Sequence, residues 1–500
     1  MRIPAIYLAL LCATTTTTPS VAADSSVPTA LARNWVIRAT DTYMSTEKPK
    51  GDDFSELVEA LLYVGEKERV RELCRRQGEH IDRVFDDPEH FAPIQANAYL
   101  SVAHGWAALA DQAEFDRILA KAVAAAAEED ESTSHLFLWH KARATARIDL
   151  DRAVEIVKGL EDSRRADGFV DLAFILANVR DREGVSRTLG LARNAAKDLP
   201  KAHETTRIAA DAVDVWLHAG DADTALAAAD GVEDAGRRMM AYDRVARVLR
   251  RSGQSDRAAA VLQKIRAIAE GADAKAAASF ALNYAIAAAE QGRGPEALEA
   301  VRRAERELAN VKGQGRFVEG QAALTQAYAW VGDMESSRRL LRRVREVMGP
   351  EREPLENPFE QPADDEGVPP EDRLPPRTII DSDLEFTAAA FASRGHFEEA
   401  VALVDTLGRH QKDTGLMWVA RGATVHGDIG KARQALRRVK SEVTQQVGAR
   451  VIAEVLAGKK AIQELDDWVA SQPVGRARLW AELGAAEGMI GRRFSDPVIR

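Results

Sequence analysis

Glycine recurs along this chain, nearly always close to the end of one apolar helical stretch and before the next. A recurring turn residue of this kind indicates a repeat array, in which each unit buries its apolar face against its neighbours instead of in one central core. We call this turn position the anchor of its repeat. The anchor glycines are Gly65, Gly220, Gly253, Gly292, Gly332, Gly395, Gly427 and Gly491.

The residues after each anchor follow the pattern of a helix that packs closely on its predecessor. Five positions after the anchor the side chain is small, which permits close approach of two helices. Four and seven positions further on it is apolar, which completes a stripe on one helical face. The small set is Ala225, Ala258, Ala297, Ser337, Ala400 and Ala432, and the apolar sets are Leu262, Val301, Leu341, Val404, Leu436 and Ile265, Ala304, Val344, Leu407, Val439.

The residues before each anchor follow a matching rule for a first helix. A bulky side chain stands eleven positions before the anchor, a small one seven before it, as a close helix crossing requires, and in some repeats an aromatic four before it. The three sets are Phe54, Tyr99, Phe137, Phe169, Tyr242, Leu384, Leu416 and Trp480; Ala103, Ala173, Ala246, Ala285, Ala388, Ala420 and Gly484; and Trp106, Trp216, Tyr328 and Phe391.

Less regular copies fill the wider gaps between the glycines. In these copies we place the anchor at Ala110, Ile148, Arg180 and Gly458. With them, and leaving aside one gap of 63 residues after Gly332, successive anchors lie about 36 residues apart, a period typical of helical-hairpin repeats.

These residues resemble the tetratricopeptide repeat family, whose unit combines the same large, small and aromatic positions across two helices. The resemblance covers the chain from about residue 50 to the C-terminus. The proline that usually closes each unit is missing nearly everywhere, and several spacings exceed the usual 34 residues, so longer helices or inserted turns are expected. A HEAT-like or other helical-hairpin solenoid is the alternative.

Composition supports an all-helical fold. Hydrophobic residues make up 46% of the chain but aromatics only 6%, alanine-rich runs are long, and the alternating pattern of β-strands is absent from the sequence. We therefore predict an all-α solenoid of about 11–12 antiparallel helix pairs, which the resemblance implies to be a right-handed superhelix. A solenoid also suits 500 residues, which would make an unusually large single core.

The N-terminus has the three parts of a secretory signal peptide. Arg2 precedes an apolar run from Ile3 to Ala13, and a small-x-small cleavage pattern ends at Ala22. A membrane anchor is the weaker interpretation, because the run is too short to span a bilayer. We expect a secreted or periplasmic protein without membrane insertion after cleavage. Its one remaining cysteine, Cys74, is interpreted as a small buried apolar residue.

A proline-rich acidic tract interrupts the array. Between Pro350 and Thr378 lie nine acidic residues, three basic residues and eight of the 18 prolines. Like charges repel and proline removes helical donors, so a loop or linker is expected, either inert or acting as a lid or docking peptide. The predicted organisation is a signal peptide at 1–22, an N-terminal segment at 23–48, repeats at 49–348, the tract at 349–378 and repeats of the same array at 379–494.

Charge and motifs exclude several functions. The full chain carries 68 basic and 78 acidic residues and no basic stripe, which disfavours nucleic acid as a partner. The sequence lacks H-E-x-x-H, G-x-x-x-x-G-K-[ST], G-x-S-x-G and Cys-x-x-Cys, so we predict no enzyme activity, no cofactor and no metal. His135 and His140 stand five apart, off one helical face. Of four tryptophans considered as stacking platforms, only Trp330 lies off the core offsets.

The favoured function is a scaffold that binds a protein or peptide. In the family that the chain resembles, first helices line the concave groove, and we expect polar side chains thirteen, ten, six and three positions before the anchor to face it. We call these the inner offsets. A groove of mixed sign would suit a peptide of alternating charge, although each residue could instead be a solvated surface residue. The candidates are Arg207, Asp214, Asp243, Arg247, Glu319, Gln326 and Arg421.

Two other functions remain open. One is a cell-envelope α-superhelix that binds or cleaves a polysaccharide, which an isolated, desolvated Glu beside aromatic residues would favour, whereas a scattered mixture of charges would favour binding. The other is a structural repeat protein that associates with copies of itself. We further expect Asp214, Asp243 and Arg247 of two consecutive repeats to form one patch.

Overall fold

A computed structural model describes residues 26–45, 51–84, 88–126, 131–197, 199, 202–251, 254–271, 284–285, 288, 293–309, 314–349 and 377–491. These residues contain helices and turns and no strand, so the predicted all-α fold is confirmed for them. The predicted signal peptide and nearly all of the proline-rich tract lie outside the described residues. None of the described helices is both long and apolar enough to span a membrane.

The helices are numbered in chain order. They are α1 (Ser26–Met44), α2 (Gly51–Tyr63), α3 (Lys67–Val84), α4 (Pro88–Ala108), α5 (Gln112–Ala126), α6 (Glu131–Thr145), α7 (Leu150–Lys158), α8 (Asp162–Asn178), α9 (Arg182–Lys197), α10 (Ala202–His218), α11 (Ala222–Asp230), α12 (Ala235–Arg251), α13 (Ser255–Gly271), α14 (Gly294–Leu308), α15 (Gln314–Val331), α16 (Met334–Met348), α17 (Arg377–Ser393), α18 (Phe397–Asp405), α19 (Arg409–His426), α20 (Ile429–Arg438), α21 (Glu442–Gly458), α22 (Ile462–Ala470) and α23 (Arg476–Ile490).

Most of the described anchors are left-handed turns between the two helices of a pair. Ile148, predicted as an irregular anchor, lies in the turn between α6 and α7 without a positive φ, and Gly253 and Gly292 lie outside the described residues. Six anchor glycines have positive φ: Gly65, Gly220, Gly332, Gly395, Gly427 and Gly491. Glycine adopts this conformation without the penalty that a Cβ brings. Ala110 and Arg180, predicted as irregular anchors, also have positive φ, at 57° and 59°. The prediction of Gly458 as an anchor is wrong, because α21 continues through it and the left-handed residue is Lys460, at 59°.

An aspartate follows many anchors and begins the second helix. The carboxylate of Asp149, for example, accepts a 2.9 Å hydrogen bond from the backbone N–H of Arg152, three residues on. Such a bond satisfies an N–H that the first turn of a helix leaves unpaired. The same contact recurs, at 2.9–3.3 Å, from Asp111, Asp181, Asp221, Asp333 and Asp428.

The predicted small positions lie at tight helix contacts. All six residues five positions after an anchor are at most 1% exposed, Ala258 among them. Glycine permits still closer approach between α17 and α19, where a Cβ on Gly422 would lie far inside van der Waals contact with the backbone oxygen of Ala389. The side chain of Cys74 is also fully buried, and burial raises the pKa of its thiol, as expected for a small apolar residue.

The chain forms two compact units. Among the described residues, those between 24 and 241 and between 474 and 500 form the first unit, and those between 242 and 473 form the second. In each unit, first helices contact the next first helix along the chain: α2, α4, α6, α8 and α10 in the first unit, and α15, α17, α19 and α21 in the second. The first helices of a unit therefore form one layer, and the second helices pack on it.

The two ends of the described chain form a helix pair in the first unit. Residues 26–44 were predicted to belong to an N-terminal segment outside the repeats. They form helix α1, and α1 packs against α23. Ala32, Val36 and Ala39 of α1 are all 0% exposed and have the spacing of the buried stripe of a second helix. Helix α23 ends at the anchor Gly491, as a first helix does. Thus α1 serves as the second helix of the pair that α23 begins.

Candidate binding surface on the first helices

Polar side chains at the inner offsets contact each other along the first unit. Glu59 of α2 and His104 of α4 each lie six positions before their anchor, and His104 Nε2 is 2.9 Å from Glu59 Oε1. Arg147, in the turn after α6, donates from Nη2 to both oxygens of Glu59 at 2.7 and 2.8 Å. Three successive repeats therefore share one polar cluster. The sequence rule for inner offsets covers Glu59 and His104, although neither was among the predicted residues.

The charge states of this cluster follow from its contacts. Burial opposes ionisation of Glu59, but the Arg147 guanidinium and the bond to His104 outweigh it and hold the pKa of Glu59 well below its ordinary value. Burial and the nearby Arg147 lower the pKa of His104, against the opposing effect of Glu59. Near neutral pH, a neutral His104 therefore donates its Nε2–H to an ionised Glu59. Arg147 is 3% exposed, and its Nε and Nη1 have no hydrogen-bond partner among the described residues.

Arg207 and Asp214 lie further along the first unit, on α10. The half-buried guanidinium of Arg207 pairs with Asp167 of α8 and, at 3.0 Å, with Asp211 of α10. Arg207 and Asp167 stand thirteen positions before their respective anchors, so this contact again joins equivalent offsets of consecutive repeats. Asp214 is half-buried. It belongs to the first unit, whereas Asp243 and Arg247 belong to the second, and their predicted common patch stays a prediction.

Asp243 and Arg247 form a buried ion pair within α12. They are one helical turn apart, and their side chains are 5% and 7% exposed. The alternative interpretation of these two residues as solvated surface charges is therefore wrong. Replacing either partner alone would leave the other charge buried and unpaired, which destabilises a folded protein.

Helix α15 carries one exposed and one buried candidate. Glu319 is exposed. On α17, burial of Asp383 raises the pKa of its carboxyl group to about 7, and the negative charge of Glu319 adds to this rise. Gln326 is 1% exposed, which excludes a solvated position, and its Nε2 has no hydrogen-bond partner among the described residues. One turn further, the indole Nε1 of the buried Trp330 is also without a partner in the described part of the chain.

A fully buried carboxyl group lies between α17 and α19. Glu385 of α17 is 0% exposed and accepts a 3.0 Å hydrogen bond from the Thr414 hydroxyl of α19. Burial raises the pKa of Glu385 to about 8, the Thr414 bond opposes that rise, and the charge of Asp381 adds to it. Its second oxygen, Oε2, has no hydrogen-bond partner within the described residues. Glu385 stands ten positions before Gly395, an inner offset, so the sequence rule would also have found it.

An aromatic pair joins the same two helices. Phe386, next to Glu385 in the chain, contacts Trp418 of α19 with ring centroids 5.4 Å apart. Trp418 is 3% exposed and its Nε1 is unpartnered among the described residues. The guanidinium of the candidate Arg421 lies 5.9 Å from the Trp418 ring centroid and is buried, not solvated as its alternative interpretation proposes.

Because the anchor was predicted at Gly458 and lies at Lys460, two further polar residues of α21 were missed. Counted from Lys460, Arg450 and Glu454 stand ten and six positions before the turn, at inner offsets, whereas counting from Gly458 places them off the pattern. Arg450 is 5% exposed and Glu454 half-buried. Most turns of the array are followed by an aspartate that caps the second helix. Lys460 is followed by Ala461 instead, so this marker of the turn is missing from the sequence here.

Comparison with known proteins gives no family. No protein-family model and no curated protein matches the chain. Among solved structures, Ton1535 from Thermococcus onnurineus NA1 is 13% identical, with 85% of this chain and 98% of that chain covered and a TM-score of 0.23. The pentatricopeptide repeat protein PPR10 from maize is 14% identical, with 89% and 71% covered and a TM-score of 0.25.

A third solved structure is a circular tandem repeat protein with novel repeat topology. It is 14% identical, with 93% of this chain and 98% of that chain covered and a TM-score of 0.15. At these low identities and scores, the assignment of the fold rests on the helix pairs, turns and buried stripes of the chain itself. These features make it an all-α helical-repeat protein.

Proposed function

We propose that this chain is an exported scaffold that binds a protein or peptide along the first helices. The observation that supports binding is the row of polar side chains at equivalent offsets of successive first helices, such as Glu59 beside His104 and Asp167 beside Arg207.

The mixture of charges along the first helices agrees with peptide binding. Glu59, Arg147 and Arg207 lie in the first unit, and Glu385 and Arg421 lie in the second, so neither unit presents one sign alone. Complementary charges select a partner more than they tighten its binding. A partner with a defined order of charged residues is therefore favoured over nucleic acid, which requires a basic surface.

A capture experiment with two matched variants tests the binding surface. Glu319 of α15 and Glu335 of α16 are both exposed glutamates, one on a first helix and one on a second. Charge reversal at either changes stability little, because exposed charges contribute only about 0–1 kcal/mol. We expect a partner from the cell-envelope fraction to bind the wild type and Glu335→Lys, and to be depleted with Glu319→Lys. Equal recovery with both variants would contradict binding on the first helices.

Export is tested separately. The signal-peptide pattern predicts a mature N-terminus near Ala22 or Ala23. Mass analysis of the N-terminal peptide of the native protein should return that start, and recovery of Met1 would contradict export.

A polysaccharide-cleaving protein is the second candidate, and Glu385 is the observation that favours it. A desolvated glutamate is typical of a general acid. However, Glu385 is 0% exposed, and a general acid must contact its substrate. Binding therefore remains the favoured function. Cleavage of cell-wall polysaccharide by the purified wild type, lost in Glu385→Gln, would reverse this preference.

A further inference from the structure

The imidazole ring of His104 uses only one of its two nitrogens inside the protein. Its Nε2 lies 2.9 Å from Glu59 Oε1 and is hydrogen-bonded to it. Its Nδ1 has no hydrogen-bond partner among the described residues, yet it is not a buried atom, so it meets solvent. The side chain as a whole is 16% exposed. A partner on the first helices can therefore reach Nδ1 without movement of the chain.

The contact with Glu59 decides which nitrogen of His104 carries the proton. An ionised carboxylate only accepts hydrogen bonds, so Nε2 must be protonated. Arg147 keeps Glu59 ionised and in place, because its Nη2 donates to both carboxylate oxygens at 2.7 and 2.8 Å. In a neutral imidazole with its proton on Nε2, Nδ1 is an acceptor. The ring therefore presents an oriented acceptor to the surface of the first helices.

The charges around His104 favour an uncharged donor. The charged groups that act on the ring are Glu59 of α2, Arg143 of α6 and Arg147 in the turn after α6. Burial has the largest effect and lowers the pKa of His104, Arg147 and Arg143 lower it further, and Glu59 opposes them. The ring is therefore neutral at pH 7. The two guanidinium groups that disfavour a positive charge on His104 also disfavour an ammonium or guanidinium donor from a partner.

Small side chains beside His104 leave room for the main chain of a partner. On the same face of α4, Ser101 lies one turn before His104 and Ala108 one turn after it, and all three residues are half-buried. Short side chains on both sides permit the close approach that a backbone N–H needs. On α2, Tyr63 lies one turn after Glu59 and is 41% exposed, so its ring offers apolar surface to a peptide side chain.

From these contacts we propose that His104 Nδ1 accepts a hydrogen bond from a backbone N–H of the peptide held along the first helices. The inference rests on the proposed function and specifies how the first unit holds the main chain of its ligand. Glu59 and Arg147 are positioning residues, because they orient the ring without contacting the peptide. A backbone N–H occurs at nearly every residue, so this contact fixes the position of the peptide and does not select a side chain.

Methylation of peptide nitrogens tests the proposal. The probe is a short peptide without His, Asp or Glu, selected at pH 7 from a random library on the purified wild type, and each of its backbone nitrogens is methylated in turn. At one position, methylation should weaken wild-type binding about fivefold to tenfold, because one hydrogen bond is lost. His104→Gln keeps a donor for Glu59 but has no acceptor at the Nδ1 position, so methylation there should change its binding little. His80→Gln, the same change at a half-buried histidine of the second helix α3, should respond as the wild type.

The pH profile gives a second readout. The pKa of His104 is lowered from its ordinary value of 6.5, and below that pKa a protonated Nδ1 donates and no longer accepts. Wild-type binding of the same peptide should therefore weaken as the pH falls below 6.5. In His104→Asn the amide oxygen stands near the Nδ1 position and does not titrate, so this variant should bind without that loss.

The outcomes separate this proposal from the proposed function. Methylation losses that are equal in the wild type and His104→Gln at every position would overturn the His104 contact alone, and so would an equal loss of binding at acidic pH in the wild type and His104→Asn. Failure of the wild type to bind any peptide would contradict the proposed function and the contact together. Circular dichroism checks the folding of each variant, and if His104→Gln does not fold, the pH profiles of the wild type and His104→Asn decide.

Discussion

Thr42, near the end of the first described helix, donates a 2.8 Å hydrogen bond to Glu482 of the last helix, 440 residues away in the sequence. A second contact of the same kind joins Asp53 of α2 to α23, since Asp53 is 3% exposed and accepts from Trp480 Nε1 at 2.8 Å and Arg476 Nε at 3.0 Å. The ends of the described chain are therefore joined by buried polar contacts as well as by apolar packing.

A double-mutant cycle measures this connection. Thr42→Val and Glu482→Ala should each destabilise the protein, and the two should be non-additive by about 0.5–3 kcal/mol, because they remove the same hydrogen bond. The free energies come from urea unfolding followed by circular dichroism. The control pairs Ser45→Ala with Glu482→Ala, since the Ser45 hydroxyl donates to the Thr42 backbone carbonyl and not to Glu482. Additive effects of Thr42→Val and Glu482→Ala would contradict the helix pair formed by α1 and α23.

Helix packing is tested by two alanines of α13. Ala258 is 1% exposed and Ala260 is exposed. Ala258→Phe should overpack the contact and cost about 1–3 kcal/mol, whereas Ala260→Phe should change stability by less than about 0.5 kcal/mol. Thermal unfolding of both variants checks this. Equal shifts in Tm would show that the repeat register is wrong.

Two glycines of one repeat should respond to alanine with opposite signs. The Cβ of Gly422→Ala would collide with backbone of α17, so the helices must separate, at a cost of about 1–3 kcal/mol. Gly430→Ala, on the exposed side of α20 with its Cβ no closer than 3.4 Å to Asp428 Oδ1, should stabilise by about 0.5–1 kcal/mol. Stabilisation by both variants would contradict the close crossing of α17 and α19.

The pH dependence of stability should report Glu385. In the unfolded chain its carboxyl group loses its proton near the ordinary pKa of 4.5, whereas in the folded protein the pKa is about 8. Between these values the folded state binds more protons, so this contribution to the free energy of unfolding decreases as pH rises and levels off above about pH 8. Glu385→Gln does not titrate. The stability of the wild type relative to this variant should therefore fall from pH 4.5 to 8, and a constant difference would contradict a buried, protonated Glu385.

Much of the fold follows from short-range regularities of the sequence. The small residue at Ala258 and the turn at Gly332 were predictable, because helix contacts and left-handed turns admit few residue types. The turn at Lys460 was not, since its left-handed conformation is imposed by the flanking helices on a residue that disfavours it. One misplaced turn removed Arg450 and Glu454 from the predicted surface.

Contacts between distant parts of the chain were also not predicted. The buried stripe of Ala32, Val36 and Ala39 is visible in the sequence, but no first helix precedes it, and its partner α23 lies at the opposite end of the chain. The burial of charged side chains was not predicted from the sequence either. Asp243 and Arg247 were assigned to an inner offset, yet the periodicity of one helix does not show whether a neighbouring helix covers them.

Site-specific photo-crosslinking tests the central claim, that a partner binds on the first helices. A photoreactive residue at exposed Glu319 of α15 is compared with one at Arg302, which lies on the second helix α14 and is 58% exposed. In the cell that produces the protein, position 319 should crosslink to a protein or peptide partner and position 302 should not. Crosslinks from position 302 alone, or equal crosslinks from both positions, would contradict the claim.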